Sequence, residues 1–389
     1  MLAYVKKLYY LCTGFENEAT ITINPKPTYY EIKNVHIHVS SAGNAPAFVY
    51  GEACVYCTAP FSLSFRALRH LCQNAQLKKT PQGRFFLAYM RFFLYLCSQI
   101  DETMILYPNC KINLGLRVIR KREDGYHDLE TIFVPIYALH DELEVNIAPT
   151  DLTDLTDISF ELEGITVDCS PEDNLIVKCY RLMAAKYPQI GPVSIRFKKN
   201  IPFGAGLGGG SSDAAHMALA LNELFQLGLT KEQLAAEVAS LGADCAFFIY
   251  NVPCFAEGIG DILTPIDLHL SGVRIVLIKP EEGVSTKEAY SGITITGEGL
   301  GNLGNLGSLD KLTNDFEATV FPKHPIIATI KKHLLDAGAF YASMSGSGST
   351  VFGLFQNDAE GRTDAQLRAL KQQFASMVLL DDTFGEWKA

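Results

Sequence analysis

The strongest chemical signal in this chain is a glycine-rich segment at 202–215, which reads PFGAGLGGGSSDAA between a predicted strand and a predicted helix. Glycines allow positive φ angles and close approach of the main chain to a ligand, and N–H groups at a helix start point toward an anion. Ser211, Ser212 and Asp213 are residue types that cap helices, and apolar residues follow at helical spacing. The segment therefore predicts a backbone cradle for phosphate.

One class of phosphate loop shares part of this pattern. Gly204, Gly206 and Gly209 satisfy the G-x-G-x-x-G of dinucleotide-binding folds, but the spacing is not specific. It recurs inside GEGLGNLGNLGS at 297–308, which we interpret as a flexible surface linker. The strand at 193–199 alternates apolar and polar residues, whereas the first strand of a dinucleotide fold is buried on both faces. The context argues against a dinucleotide site.

The sequence after the glycine segment also differs from the common nucleotide-binding folds. A dinucleotide unit needs a second strand ending in an acidic residue. Instead, 230–233 (Thr-Lys-Glu-Gln) forms a capping box that predicts another helix through about Leu241. Gly210 stands where a Walker loop requires lysine, so that class is excluded as well.

Three segments together resemble the GHMP kinase superfamily. Residues 202–215 resemble its second signature, whose glycine loop wraps the ATP phosphates, while 108–116 resemble the first and 345–352 the third. Order and spacing also fit, from about Met104 to the C-terminal region. The shorter stretches 124–127, 172–176 and 241–244 resemble one branch of the superfamily, whose acceptor alcohol carries a cytidyl group.

This resemblance implies an α/β fold with two domains. Residues 104–267 would form a ribosomal-S5-like ATP-binding domain that contains the glycine loop. Residues 268–389 would form a smaller, ferredoxin-like α+β domain that closes the substrate cleft and carries the third signature.

Two charged residues are the candidates for chemistry. Phosphoryl transfer to an alcohol needs a cation near the developing charge and a carboxylate near the hydroxyl proton. From the residues alone, Asp244 could equally be a helix cap or a structural ion pair, and Lys111 could lie on a solvated strand face. The resemblance implies that Asp244 is the general base, Lys111 its cationic partner and Asn113 an active-site contact.

The resemblance also implies residues that contact the two substrates. Tyr126 and His127 would recognise cytidine, with Phe133 assisting the stacking, although the pair could simply form a turn after Asp124 and Gly125. The residues expected to contact ATP are Pro202, Phe203, Gly204, Ala205, Gly206, Leu207, Gly208, Gly209, Gly210, Ser211, Ser212, Asn174 and Lys199. Asn174 could instead be a polar first-turn residue of a helix opened by Ser170 and Pro171.

The implied co-substrate is ATP with Mg²⁺. No His, Cys and carboxylate set in the kinase region has metal-ligand spacing, so we predict no dedicated protein-built metal cage. The ion would be held mainly by phosphates and water, with Ser211 or Ser212 as the possible protein contacts. The sequence does not predict the oligomeric state.

The first part of the chain differs in composition from the rest. Residues 1–103 carry a net charge of +4 and the remainder −14, a balance that does not favour nucleic-acid binding. The apolar run at 84–97 is too short for a membrane span and contains Arg91, and residues 1–12 do not form a convincing signal peptide. We interpret 1–103 as a leader of unknown role, with the natural start at Met104.

The ten cysteines fit a reducing cytoplasm, because no secretory signal precedes them. Cys54 and Cys57 with His70 and Cys72 have irregular spacing for zinc and form only a weak candidate site.

Two alternative functions stay open at this point. A GHMP kinase for another small alcohol, of the homoserine or mevalonate type, would keep Lys111 and Asp244 but lack the Tyr126–His127 context. A non-catalytic, ligand-sensing member of the fold would keep the glycine loop and lose the charged pair. The presence of both charged residues argues against the second alternative.

Overall fold

The structure is a computed structural model. It describes residues 19–20, 38–39, 103–148, 158–165, 170–301, 309, 312–356 and 362–385. The chain divides into two compact units, Met1–Ile105 and Leu106–Ala389. In the first unit, the strands β1 (Ala19–Thr20) and β2 (His38–Val39) pair antiparallel. The weak zinc candidate and the apolar run at 84–97 lie outside the described residues.

The remaining elements follow in chain order from Thr103. The strands are β3 (Thr103–Leu106), β4 (Asn109–Lys121), β5 (His127–His140), β6 (Glu142–Ile147), β7 (Ile158–Gly164), β8 (Val193–Lys199), β9 (Cys254–Glu257), β10 (Ile262–Pro265), β11 (Arg274–Ile278), β12 (Tyr341–Met344), β13 (Val351–Phe355) and β14 (Val378–Thr383). The α-helices are α1 (Leu175–Lys186), α2 (Gly209–Leu224), α3 (Lys231–Val238), α4 (Cys245–Tyr250), α5 (Thr286–Tyr290), α6 (Glu317–Val320), α7 (Pro325–Asp336) and α8 (Arg362–Gln373). A 3₁₀ helix at Pro171–Asp173 precedes α1.

Three groups of strands organise the second unit. One antiparallel sheet has the order β10-β9-β5-β4, and a second has the order β12-β13-β11-β14. In the third, β8 lies between β6, its antiparallel neighbour, and β7, its parallel neighbour. Helix α1 packs against α2, and α4 packs against both α2 and α3. This mixture of helices and sheets agrees with the predicted α/β class.

Local sequence rules account for the elements that flank the glycine segment. Strand β8 buries Val193, Ile195 and Phe197 and leaves the intervening residues more exposed, as its alternation predicts. Helix α3 begins with the predicted capping box, in which Thr230 and Gln233 each bond the other's backbone. It ends at Val238, three residues before the predicted end.

Two apolar cores fix the sheets in place. One core joins the first two sheets, since Ile112 of β4 and Ile132 of β5 pack in the same cluster as Leu277 of β11 and Phe352 of β13. The other lies on α7, whose Ile327, Ile330 and Leu334 face the opposite side of the second sheet. Strand β4 therefore runs beside a sheet that comes from the C-terminal third of the chain, and this arrangement positions the site.

Candidate active site

The glycine loop connects β8 to α2, and α2 begins at Gly209. The N-cap residue is Gly208, in a left-handed conformation with φ of 70° and no side-chain capping bond. The prediction that Ser211, Ser212 and Asp213 cap this helix is therefore wrong, because a glycine makes the turn and all three lie inside the helix. As a result, the N-cap residue offers no side-chain bond to the first N–H groups of α2, and N–H groups at such a helix start attract anions.

Two glycines of the loop have positive φ angles and leave little or no room for a side chain. At Gly206, with φ of +73°, a Cβ would lie 2.0 Å from the carbonyl oxygen of Ser345. At Gly208, a Cβ would lie 3.1 Å from Cε of Lys111 and 3.0 Å from the Phe248 ring. The loop backbone thus packs directly against the third glycine-rich segment on one side and against Lys111 on the other.

The third segment supports the loop from the turn between β12 and β13. The Ser345 hydroxyl donates to the carbonyl of Gly206 at 2.9 Å, and the N–H of Thr350 donates to the carbonyl of Ala205 at 3.2 Å. The turn is held in place by Asn314, whose amide donates to the carbonyls of Met344 and Gly346. Three segments that are far apart in sequence therefore meet at one point.

Lys111 lies at that meeting point, buried in β4. Its ammonium donates to Oδ1 of Asn113 at 2.7 Å and to the carbonyl of Gly206 at 3.2 Å. The same nitrogen lies 3.4 Å from Oδ2 of Asp244 and 5.0 Å from the centroid of the Phe133 ring. The cation is thus directed into the site, and the alternative of a solvated strand face is wrong for Lys111.

Asp244 precedes α4 at its N-cap position, but its side chain makes no capping bond. The alternative role of helix cap is therefore wrong. The carboxylate instead faces Lys111, and 28% of the side chain is exposed. An acid that is paired with a buried cation yet open to solvent is accessible to the hydroxyl group of a bound alcohol.

Asn113 is buried, and its contacts explain how Lys111 keeps its orientation. Its amide donates to the Thr131 hydroxyl at 2.9 Å, and Thr131 donates to the carbonyl of Gly115 at 2.6 Å. The amide group is thereby fixed with its oxygen toward the ammonium of Lys111. Any direct contact between Asn113 and a substrate stays a prediction.

Tyr126 and His127 follow a turn at the tip of the β4–β5 hairpin. Gly125 has φ of +89°, and the Asp124 carboxylate accepts from the N–H of Tyr126 at 3.0 Å, so the predicted turn is present. Tyr126 is 62% exposed, and His127 stacks on Tyr290 with ring centroids 4.5 Å apart. Burial, with a smaller contribution from Lys121, lowers the pKa of His127. The turn and an aromatic surface therefore occur together.

Tyr290 of α5 is a residue that the sequence interpretation missed. Burial raises the pKa of its phenol, and the negative charge of Asp244 raises it further. Tyr290 thus stacks on one of the predicted base-recognition residues and interacts electrostatically with the candidate base. No local pattern marks it, because it stands alone at the end of a five-residue helix.

Phe133 is almost completely buried beneath Lys111 and packs against Phe247, with ring centroids 5.1 Å apart. Its predicted part in stacking on a base is therefore not visible in its own contacts and stays a prediction. Its observed position is the apolar floor under the ammonium of Lys111.

Asn174 and Lys199 both have partners within the protein. Asn174 is the N-cap of α1, and its Oδ1 accepts from the N–H of Ile176 at 2.9 Å. The predicted opening at Ser170 and Pro171 is a 3₁₀ turn instead. Their contacts with ATP stay predictions.

Lys199 is enclosed by two carboxylates. Its ammonium lies 2.6 Å from Oδ2 of Asp141 and 2.6 Å from Oδ2 of Asp213. Burial opposes the charge, but the two carboxylates outweigh it and raise the pKa of Lys199. Burial raises the pKa of Asp213 well above its usual range.

The described residues contain neither a metal-binding cluster nor a membrane-spanning helix. Within this part of the chain, no group of three or more His, Cys, Asp or Glu side chains has a metal-binding arrangement. No helix among the same residues is long and apolar enough to cross a membrane. The four described cysteines, Cys110, Cys179, Cys245 and Cys254, are free thiols.

Two family models match this chain within residues 104–389. A family model described as "GHMP kinases N terminal domain" matches residues 174–252, and one described as "GHMP kinases C terminal" matches residues 297–375. The uncapped glycine loop and the neighbouring Lys–Asp pair are parts suited to phosphoryl transfer to an alcohol. The chain belongs to the GHMP kinase family, which confirms the resemblance found in the sequence.

Individual relatives narrow this class. A 4-diphosphocytidyl-2-C-methyl-D-erythritol kinase of Bacteroides thetaiotaomicron is 50% identical over 262 residues, covering 65% of this chain and 92% of that relative. A crystal structure of 4-(cytidine 5'-diphospho)-2C-methyl-D-erythritol kinase is 30% identical, with a TM-score of 0.59, and covers 73% of this chain and 100% of the other. The L. major mevalonate kinase in complex with R-mevalonate shares the fold at 15% identity and a TM-score of 0.53, covering 75% of this chain and 99% of its own.

Proposed function

We propose that this chain transfers the γ-phosphoryl group of ATP to the 2-hydroxyl of 4-diphosphocytidyl-2-C-methyl-D-erythritol, in the non-mevalonate route to isoprenoid precursors. The observation that carries the proposal is the Lys111–Asp244 pair, 3.4 Å apart and directly beneath the glycine loop. Relatives named for this activity support the acceptor. They favour it over a homoserine-type or mevalonate-type acceptor and over a non-catalytic member of the fold.

The glycine loop would bind the ATP phosphates. The N–H groups at the start of α2 are not capped by a side chain, and the loop backbone at Gly204, Gly206 and Gly208 adopts positive φ angles. Such a cradle stabilises phosphate charge by oriented donors without adding a side chain between loop and ligand. The other loop residues would contact the ATP phosphates through their backbone: Pro202, Phe203, Ala205 and Leu207.

Asp244 and Lys111 would act on the alcohol. The partly exposed carboxylate of Asp244 accepts the hydroxyl proton as the alcohol oxygen attacks the γ-phosphorus atom, and ADP departs. Lys111 keeps this carboxylate in place and stabilises the negative charge that develops around the transferred group. The bonds from Lys111 to Asn113 and to the carbonyl of Gly206 fix its ammonium between base and loop.

The nucleotide would bring Mg²⁺, which would supply positive charge to neutralise the phosphates. Between the two predicted protein contacts, Ser211 fits better than Ser212. Ser212 is fully buried, and its hydroxyl lies 3.3 Å from Nδ1 of His216. Ser211 is partly exposed in the first turn of α2.

Tyr126, His127 and Tyr290 would hold the cytidyl group of the acceptor. The exposed Tyr126 ring offers a face for stacking, and the imidazole of His127 is fixed by its own stack on Tyr290. The stack of His127 on Tyr290 and the electrostatic interaction of Tyr290 with Asp244 relate the predicted base-recognition residues to the general base.

We also propose the domain limits 104–267 and 268–389 for the kinase. Each of the two family matches falls inside one of these ranges. A start at Met104 and a cytoplasmic location stay predictions.

The test is a turnover assay with MgATP and three separate alcohols: the cytidyl substrate, mevalonate and homoserine. We expect phosphorylation of the cytidyl substrate alone. In His127→Ala, KM for that alcohol should rise by about tenfold while KM for ATP changes little, because the remote contacts bind only the acceptor. Equal or faster turnover of mevalonate or homoserine would contradict the proposed acceptor, and a rise in KM for ATP alone would move His127 to the donor site.

A further inference from the structure

A buried cluster of three charged side chains lies behind the glycine loop and makes no contact that the proposed chemistry uses. It consists of Asp141, Lys199 and Asp213, and we call it the loop triad. Each carboxylate lies 2.6 Å from the ammonium of Lys199, and all three side chains are at most 6% exposed. Burying such a cluster is costly, and buried ion pairs are often no more stabilising than apolar side chains of similar size. The triad therefore calls for an explanation other than fold stability.

Its members stand at the two ends of the loop. Lys199 is the last residue of β8, immediately before the loop, and Asp213 lies in α2 immediately after Ser212. The ion pair between them joins residues 14 positions apart and so closes the loop at its base. Because the loop between them contains three glycines with positive φ angles, its own backbone offers little rigidity.

Asp141 holds the N-terminal end of the loop. Its Oδ1 accepts from the N–H groups of Asn200 and Ile201 at 2.6 and 2.8 Å, while its Oδ2 faces Lys199. One carboxylate thus orients both the Lys199 ammonium and the first two residues of the chain that follows β8. The start of the loop is held in one direction by these three bonds.

The ammonium also lies close to the part of the loop that would face phosphate. A Cβ at Gly209 would lie 3.2 Å from Nζ of Lys199 and 2.9 Å from Cγ2 of Ile201. Gly209 is the first residue of α2, whose N–H groups form the predicted cradle. A shift of the ammonium therefore acts directly on the backbone that would contact the ATP phosphates.

We propose that Lys199 and Asp213 are positioning residues that set the glycine loop for ATP, through an ion pair that joins the two ends of the loop. This inference rests on the proposed function only in taking ATP as the phosphoryl donor. It assigns Lys199 an indirect role, because both of its carboxylate partners lie within the protein.

The test measures ATP binding without turnover, using a non-hydrolysable ATP analogue with Mg²⁺ and calorimetry on the full chain. In Asp213→Ala, we expect the Kd to rise by about tenfold, because the ammonium loses one of its two anchors beneath Gly209. In Asp213→Asn, the amide oxygen can still accept from Lys199, so the Kd should stay within about threefold of the wild type. The KM of the acceptor alcohol should be unchanged in both variants.

A matched control lies one residue away on the same strand. Lys198 pairs with Glu142 at 2.7 Å, but both side chains are nearly half exposed. Lys198→Met and Lys199→Met each remove one positive charge from β8, but only Lys199→Met should weaken ATP binding. A similar loss of ATP affinity in both lysine variants would overturn the proposal, since the loss of a positive charge from β8 would explain both.

The remaining outcomes also decide the matter. Wild-type affinity in Asp213→Ala, or an equal loss of ATP and acceptor binding, would mean that the triad only stabilises the fold. If Asp213→Ala does not fold, Lys199→Met replaces it, since Asp141 keeps its two backbone donors there and the same rise in Kd is expected. If neither variant folds, the triad is a folding determinant and the proposal is wrong. The wild-type acceptor assay is separate, so a failure of the proposed acceptor leaves the result on ATP binding intact.

Discussion

Lys111 and Lys199 are both buried lysines on strands, yet they face different surroundings. Lys111 contacts an amide oxygen, a loop carbonyl and one carboxylate, Asp244, that is 28% exposed. Lys199 contacts two carboxylates that are themselves buried. Asp244, the partner of Lys111, is exposed enough to be reached by a hydroxyl group. Asp141 and Asp213, the partners of Lys199, are buried and hold its ammonium inside the protein. Both lysines are buried, so the exposure of their carboxylate partners is what distinguishes them. The pair with an exposed carboxylate is suited to chemistry, and the cluster with buried carboxylates is suited to positioning the loop.

The largest effect is expected at the open pair. Asp244→Asn should lower kcat by about 10²-fold or more, because the amide cannot accept the alcohol proton, while the Kd of ATP stays within about twofold. The measurement is steady-state turnover together with calorimetric ATP binding. Asp173→Asn is a suitable control, since Asp173 is an exposed acid that also pairs with a lysine, Lys178. Near-normal kcat in Asp244→Asn would remove this residue from the mechanism.

A second change tests the loop that lies between the two lysines. Gly206→Ala and Gly204→Ala carry a similar cost for positive φ, about 1–2 kcal/mol, but only the Gly206 side chain would collide with the carbonyl of Ser345. At Gly204 nothing lies within 4 Å of the added Cβ. We expect the Kd of ATP to rise by at least about tenfold in Gly206→Ala and by less than that in Gly204→Ala.

Calorimetric binding of the ATP analogue to both glycine variants checks this expectation. Equal losses of affinity would mean that backbone strain alone matters. The packing of the loop against the third glycine-rich segment would then have no effect on ATP affinity.

The smallest effect concerns the segment that carries Tyr290. His324 contacts Glu282 at 2.9 Å and Glu288 at 3.2 Å, and its bond to Glu282, despite partial burial, raises the pKa of the imidazole, with Glu288 adding to the effect. Because the folded pKa is raised, this stabilisation is complete below the unfolded value of about 6.5 and is lost as pH rises through the folded pKa. The melting temperature of His324→Gln should therefore fall below that of the wild type by more at pH 6 than at pH 9.

Thermal unfolding at several pH values measures the difference. His269→Gln serves as the control, because the His269 side chain is 87% exposed. A wild-type advantage over His324→Gln that does not change with pH would exclude the two carboxylates as its source.

Features governed by neighbouring residues were predictable from sequence. The alternation of β8, the capping box at Thr230 and the placement of a glycine loop before a helix all depend on contacts within a few positions. The predicted start of helix α2 was wrong because several residues there favour capping. The three-dimensional turn shows that Gly208 is the N-cap.

Features that depend on distant partners were not predictable in this way. Asp141 lies 58 residues before Lys199, so no local pattern could show that two carboxylates enclose the ammonium. The glycine-rich segment at 297–308 was interpreted as a flexible surface linker. In its described part, Leu300 donates to the Glu130 carboxylate at 2.8 Å, and Arg117 donates to the carbonyl of Glu298 at 3.2 Å. Equal glycine spacing therefore occurs in two different environments, and the loop at 204–209 leads into a helix.

The difference between the two lysine clusters is tested most directly by measuring ATP affinity and kcat side by side in Asp244→Asn and Lys199→Met. The account predicts opposite results: Asp244→Asn binds ATP normally and turns over at least about 10²-fold more slowly, whereas Lys199→Met binds ATP about tenfold more weakly. At saturating ATP, Lys199→Met should regain most of the wild-type kcat. Weakened ATP binding in Asp244→Asn, together with normal ATP binding in Lys199→Met, would contradict the assignment of chemistry to one cluster and loop positioning to the other.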